Sequence, residues 1–379
     1  MDRRQFITGI GTLSTGTIAG CIGDDNDGPE TKWHQQALPS SNVRRPPTAI
    51  DNMVFVGGGT GNRYVSALHA TDGSIEWTFR TGGPVFTSPQ VIGGTVFVAS
   101  EDNNVYALDA ETGDENWQFE TDGLGWSSPT VWDDTVYMGG TDATVYALGT
   151  TDGEERWQFK TDDQIYSSPT LADGQVFIGS NDGGVYALDA EAGDENWQFE
   201  TSGQIRSSPT VWNETVFVGS YNGVVYALET ATGDLLWEFD TGVSGRFTSP
   251  TVADGTLYIG SWNGTIYALE FATGDVVWEF EDIDGTEISP PSVASDLVIF
   301  SGWQDGVATL FGLEAASGSS EWQIETPPGS GVTVVDGTIF VGTDGVLALT
   351  VDDIGSSEDS RVELGTLGHH DKWANKHTV

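Results

Sequence analysis

A single cysteine, Cys21, occurs in 379 residues, so it has no second thiol to pair with. Basic residues are nearly as scarce. Four lysines and ten arginines stand against 57 acidic residues, for a formal net charge of −43. That balance excludes nucleic-acid binding, because phosphate contacts need clustered Lys and Arg. Histidine is also sparse: His34 and His69 lie far in sequence from His369, His370 and His377 in the tail, and no selective metal-ligand spacing emerges. Long apolar runs are missing too. The stretch Ile7–Ala19 is too short, and too rich in Gly and Thr, for a spanning helix.

What the chain has instead is one sentence respoken at a fixed interval, seen most clearly from Ser207 to Gly242. Apolar runs at Ser208–Trp212, Val216–Val218, Val224–Leu228 and Leu235–Phe239 are only a few residues long, with Gly, Asn, Asp and Thr between them. Short runs rich in Val, Phe, Tyr and Trp between turn formers read as strands. The unit is a four-stranded antiparallel meander.

Its period is set by the Trp of the last strand. Trp77, Trp117, Trp157, Trp197 and Trp237 are each 40 apart, and Trp278 and Trp322 follow at 41 and 44. Ser-Pro pairs keep step from Ser88-Pro89 to Ser289-Pro290. One small sheet cannot bury both faces alone, so this period predicts an all-β fold of radially stacked blades, a β-propeller. Eight hairpins of the VFVG/VYAL type occur, but nothing after Leu349 supplies an eighth Trp. The missing partner is Trp33, with Pro46-Pro47-Thr48 in the Ser-Pro-Thr position. The expectation is an eight-bladed ring in which the N-terminal segment forms the outer strand of the last blade, with seven blades as the fallback. Each repeated Trp should pack between its own blade and the next, and Gly at Thr112-Gly113 and Thr232-Gly233 should supply a positive φ in the turn.

The pattern V-F-V-G-S-x-(N/D)-G-x-V-Y-A-L-(D/E)-A-x-T-G-(D/E)-x-x-W resembles the repeat of pyrroloquinoline-quinone (PQQ) enzymes and their non-enzymatic relatives. Those relatives include the lipoprotein that serves bacterial outer-membrane protein assembly. The second half of the pattern is matched completely by ALDAETGDENW ending at Trp117, and the copy ending at Trp197 departs once, at Ala192. The resemblance covers residues 33–350 and speaks to fold more than to activity. It implies, for an enzyme of this kind, a vicinal cysteine pair, a calcium ion held by Glu and Asn, and an Asp base. A lone cysteine rules out the pair, and no motif here carries the base over to any position. The expectation is therefore a non-enzymatic chain with no PQQ, no metal and no catalytic residue.

Residues 1–20 read as an export signal outside the fold: Arg3-Arg4 before Gln5-Phe6-Ile7 is a twin-arginine pattern. Ile18-Ala19-Gly20-Cys21 has the form of a lipobox, which would put a lipid on Cys21 and tether the protein to the outer face of the cytoplasmic membrane. An acidic tether, 21–32, leads into the propeller at 33–350, and a tail, 351–379, follows. The charge suits a protein of concentrated salt, where the screening length falls to about 3 Å at 1 M and the acidic surface maintains solubility. Asn213-Glu214-Thr215 and Asn263-Gly264-Thr265 match the glycosylation acceptor pattern in turns.

Function should lie where the repeats differ. The loop entering the first strand of each blade and the loop joining its second and third strands share one face. There the sequence places Phe86, Trp126, Tyr166, Arg206, Arg246 and Phe247 from the first loops, and Tyr221, Trp262 and Trp303 from the second. Aromatic and Arg enrichment is the compositional mark of a contact surface. The leading expectation is a monomeric scaffold for envelope or extracellular proteins. A PQQ-dependent oxidoreductase, or a subunit of one, and a binder of carbohydrate or another small ligand are the alternatives.

Overall fold

The blade begins with a two-faced strand pair. In Thr215–Gly219 and Val224–Glu229 both faces carry apolar or small residues, and nearly all of them are buried. Strands buried on both sides need cover on both sides, which stacking of neighbouring sheets provides. The outer strand, Leu235–Asp240, instead alternates between exposed and half-buried residues, as an edge facing solvent should. With Thr210–Trp212 inside, these four strands pair antiparallel in sequence order.

The computed structural model describes residues 28–351 apart from 37–42, 44, 60, 62, 285–286, 328 and 330, and repeats this sheet eight times. No helix occurs among the described residues, so none is long and apolar enough to cross a membrane. Innermost strands of consecutive blades lie side by side around the whole circuit, and Val332–Val335 of blade 8 meets Thr48–Ile50 of blade 1. Blade 8 takes its outer strand from the beginning of the chain. Glu30–Gln35 pairs antiparallel with Val346–Thr350, and Trp33 sits opposite Ala348 as Trp117 sits opposite Ala107. The eight-bladed ring and its N-terminal clasp are thus present as the repeat count predicts. Arg3, Arg4, Cys21 and the tail histidines lie outside the described residues.

Three devices join the blades. At the centre, Thr130, Thr170, Thr210 and Thr251 each donate a hydroxyl bond of 2.6–2.7 Å to a proline carbonyl at the entrance of the following blade. Ser292 donates to the Val332 carbonyl at 2.9 Å, and Thr333 and Thr48 carry the circuit through blades 8 and 1 to Pro47 and Pro89. Seven donations therefore run in one circular sense, which is why the Ser-Pro-Thr step recurs. Further out, Phe79, Phe119, Phe159, Phe199 and Phe239 each meet the Tyr of the next blade at 5.3–6.1 Å, four of them edge-on.

At the rim, Trp33, Trp77, Trp117, Trp157, Trp197, Trp237 and Trp278 each donate Nε1–H to a backbone carbonyl of the next blade at 2.8–3.0 Å. Each ring also lies against the turn glycine of that blade. An added Cβ at Gly193, where φ is +75°, would sit 2.6 Å from the Trp157 ring. A bulge just before each of these turns, such as that between Ala187 and Leu188, twists the hairpin locally. Trp322 departs from the series: its buried Nε1 has no hydrogen-bond partner among the described residues.

Candidate functional site

On one face of the ring, backbone bonds bring together the two loops of a blade, as in the fifth and sixth blades. Tyr221 N–H donates to the Gln204 carbonyl and Trp262 N–H to the Arg246 carbonyl, both at 2.9 Å. Short bridges Ile205–Ser220 and Phe247–Ser261 add to the pairing. The loops are further fixed by an Asp or Asn at the second-to-third-strand turn. Asp182 accepts the Gly184 N–H at 2.7 Å and the Tyr186 hydroxyl at 2.8 Å; Asp102 and Asp142 do the same for Tyr106 and Tyr146. Burial, then the bond to the carboxylate, raises the pKa of all three phenols above the ordinary value. These carboxylates are committed to loop geometry.

The rigid loops frame an axial mouth enclosing about 400 Å³. Within it, Phe86 stacks on Trp126 at 4.9 Å, and Trp126 meets Tyr166 edge-on at 6.4 Å. Arg206 lies 4.5 Å from the centre of the Tyr166 ring and 5.1 Å from that of Tyr221, and its Nε donates to Asn181 at 2.9 Å. Arg246 lies over Trp262 at 4.9 Å. So the predicted residues from five blades form one continuous arc. Both phenylalanines are buried: Phe86 backs the Trp126 ring, and Phe247 lines the mouth from beneath. Phe247 is sunk in the core beneath, where its side chain fills the space a Cβ on Gly219 would need. Trp303 stands half-exposed and donates to Glu287 at 3.2 Å.

One cation at this mouth was not anticipated. Arg45 reaches across two blades, with Nε donating to the Phe86 carbonyl at 3.0 Å and a terminal nitrogen to the Trp126 carbonyl at 2.9 Å. Its guanidinium also lies 5.8 Å from the Trp126 ring. The signal was available: Arg45 is one of ten arginines and stands immediately before the Pro46-Pro47 pair that opens blade 1. Burial, then the charge of Arg246, lowers its pKa to about 10. Burial and the charge of Arg206 likewise lower that of Arg246, against an opposing effect of Tyr221.

Among the described residues none of the three arginines has a carboxylate within 4.0 Å, although Glu287 also lines the mouth. Elsewhere the chain does pair its charges, as where Arg156 grips Asp134 with two bonds of 2.8 Å. His34 and His69 are paired at the rim with Asp344 and Glu76. A second feature that sequence reasoning passed over is a patch on the outer strands of blades 5 and 6. Leu235, Leu236, Val276 and Val277 are 44–53% exposed where blades 2 to 4 carry Glu, Asn or Arg. Of the two acceptor-pattern asparagines, Asn213 is exposed at a hairpin turn with φ 48°, while Asn263 already donates its amide to Tyr267 at 3.2 Å.

The fold and its repeat define the class: an eight-bladed β-propeller built from PQQ-like repeats. More narrowly, the chain belongs to the family of the outer membrane protein assembly factor BamB, which it matches over residues 24–127, 119–211 and 202–326. No curated protein matches it by sequence. The solved BamB of Moraxella catarrhalis is similar at TM-score 0.70 and 20% identity, with 82% of this chain and 98% of that one covered. The computationally designed Ika8 protein is similar at 0.73 and 17%, with 85% and 99% covered. A quinohemoprotein alcohol dehydrogenase of Pseudomonas putida HK5 is similar at 0.72 and 15%, with 85% and 76% covered. At these identities the likeness is one of fold.

Proposed function

We propose that this protein is an exported, membrane-tethered scaffold that docks envelope or extracellular proteins on the axial mouth of its propeller. The observation that carries the reading is the arc of aromatic rings and three arginines around one opening, in a chain whose surface is otherwise acidic. Aromatic and Arg side chains dominate the energetics of protein contacts, and here rigid loops hold them in place before any partner arrives. Family membership supports a scaffold, and the twin-arginine pattern and Cys21 support export and lipid tethering. The acidic excess supports operation in molar salt.

A quinone-dependent oxidoreductase is the competing reading, because quinohemoprotein alcohol dehydrogenases share the fold. The donor set does not fit the calcium ion that such chemistry would require. The mouth offers one carboxylate, Glu287, in a lining with three guanidinium groups. Among the described residues no group of three or more His, Cys, Asp or Glu could hold a metal. Binding of a carbohydrate or other small ligand on the aromatic arc would use the same residues without a protein partner. The deciding experiment is affinity capture from membranes in molar salt with wild-type protein and with a Trp126→Ala, Arg206→Ala double variant. The partner should be lost from the variant, and the wild type should leave the membrane fraction once Cys21→Ser is introduced. Capture of the same partner by both forms would overturn the assignment of docking to the mouth.

A further inference from the structure

Three cations converge in a mouth whose lining holds one carboxylate, Glu287, and among the described residues none of the three has a carboxylate within 4.0 Å, in a protein with 57 acidic residues. Gathering like charges in a partly desolvated site is unfavourable by itself. Their hydrogen bonds show which of them are free to act. Arg45 is bound to two backbone carbonyls and serves as a fixed positive charge. Arg206 donates through Nε to Asn181, and among the described residues its terminal nitrogens make no hydrogen bond. The Arg246 side chain makes no hydrogen bond among the described residues, and its guanidinium lies against the Trp262 ring. A guanidinium presents a planar fork of donors that matches a carboxylate with two parallel bonds. The volume, about 400 Å³, admits a few side chains and excludes a folded domain.

We propose that the mouth receives a carboxylate-bearing polypeptide segment of the partner, acidic side chains or a chain terminus, gripped by Arg206 and Arg246 between the rings of Tyr166 and Trp262. This rests on the scaffold reading above and names the chemistry of its contact. The rest of the surface repels such a segment, so recognition is confined to the mouth, and molar salt shortens the repulsion to contact range. Most of the balancing negative charge comes from the partner, since the chain places a single carboxylate, Glu287, in the lining of the mouth and none against the three guanidinium groups.

The test uses the full chain in molar KCl, titrated with a short synthetic Asp/Glu peptide with a free C-terminus, its Asn/Gln twin with an amidated terminus, and free citrate. Tryptophan fluorescence and calorimetry are the readouts. The acidic peptide should bind, its neutral twin should not, and Arg246→Ala should weaken binding by at least about tenfold. Arg246→Lys, which keeps the charge but loses the fork, should fall between the two. In the absence of peptide, Arg246→Ala should melt no lower than wild type, because it removes an unbalanced cation; a large drop would mark the arginine as structural and overturn the proposal. Equal binding of both peptides, or binding of citrate alone, would also overturn it. If the Arg246→Ala chain still captures its partner and Leu236→Glu with Val277→Glu does not, the scaffold reading survives on the outer patch and the mouth is not its contact.

Discussion

Gly193 is constrained twice at one position. Its φ of +75° belongs to the left-handed region, and the face of Trp157 occupies the space a side chain would enter. Gly193→Ala should therefore lose about 1–3 kcal/mol from the backbone alone, and more if Trp157 must move. Denaturant unfolding in molar salt would measure it, and a change at an open turn such as Gly174, with nothing near its Cβ, gives the comparison for the backbone effect by itself. At this scale the sequence was readable in its repeated residues, because a Gly or Trp that returns every 40 positions must meet the same neighbours each time. It was less readable where a residue acts only once. Arg45 has no counterpart in other blades, and its reach across two blades depends on the direction of a side chain, which periodicity does not encode. Phe247 differs from its neighbours in another way: nothing in the spacing says that its side chain packs into the core beneath the mouth while Trp126 and Trp262 stay half-buried at the opening.

Among the elements, the N-terminal strand carries the most consequence per residue. Glu30–Gln35 is the outer edge of blade 8, and Trp33 meets Phe340 at 6.0 Å while donating to Ala70 of blade 1. It fastens two blades at the seam of the ring. Trp33→Ala should cost about 3 kcal/mol, the low end for such a truncation because the ring is half-buried. The loss should exceed that from Trp322→Ala, whose indole nitrogen has no hydrogen-bond partner among the described residues. Paired unfolding curves for the two variants would check the order. The clasp was legible because a missing eighth Trp and a surplus Trp33 add up to one blade. The apolar patch on blades 5 and 6 was equally open to view in LLWEF and VVWEF, but a strand edge reads the same whether its apolar pair is covered or bare.

For the whole molecule, charge is the controlling quantity. A net charge of −43 on a closed ring disfavours the compact state until salt screens it. The melting temperature should climb by several degrees between dilute and molar KCl, and a flat profile would contradict an adaptation to concentrated salt. The clasp also dictates the order of assembly. The Thr350 hydroxyl reaches the carbonyl of Glu30, 320 positions earlier in the chain. On the ribosome the opening strand must then wait, without its mate, through synthesis of every other blade. Contacts so distant in sequence form late, so circularisation is the last act of maturation and cannot precede release of nearly the full polypeptide. A secretion route that accepts only finished cargo would then double as a checkpoint, since a chain cut short before its final hairpin has nothing to lock its first strand against.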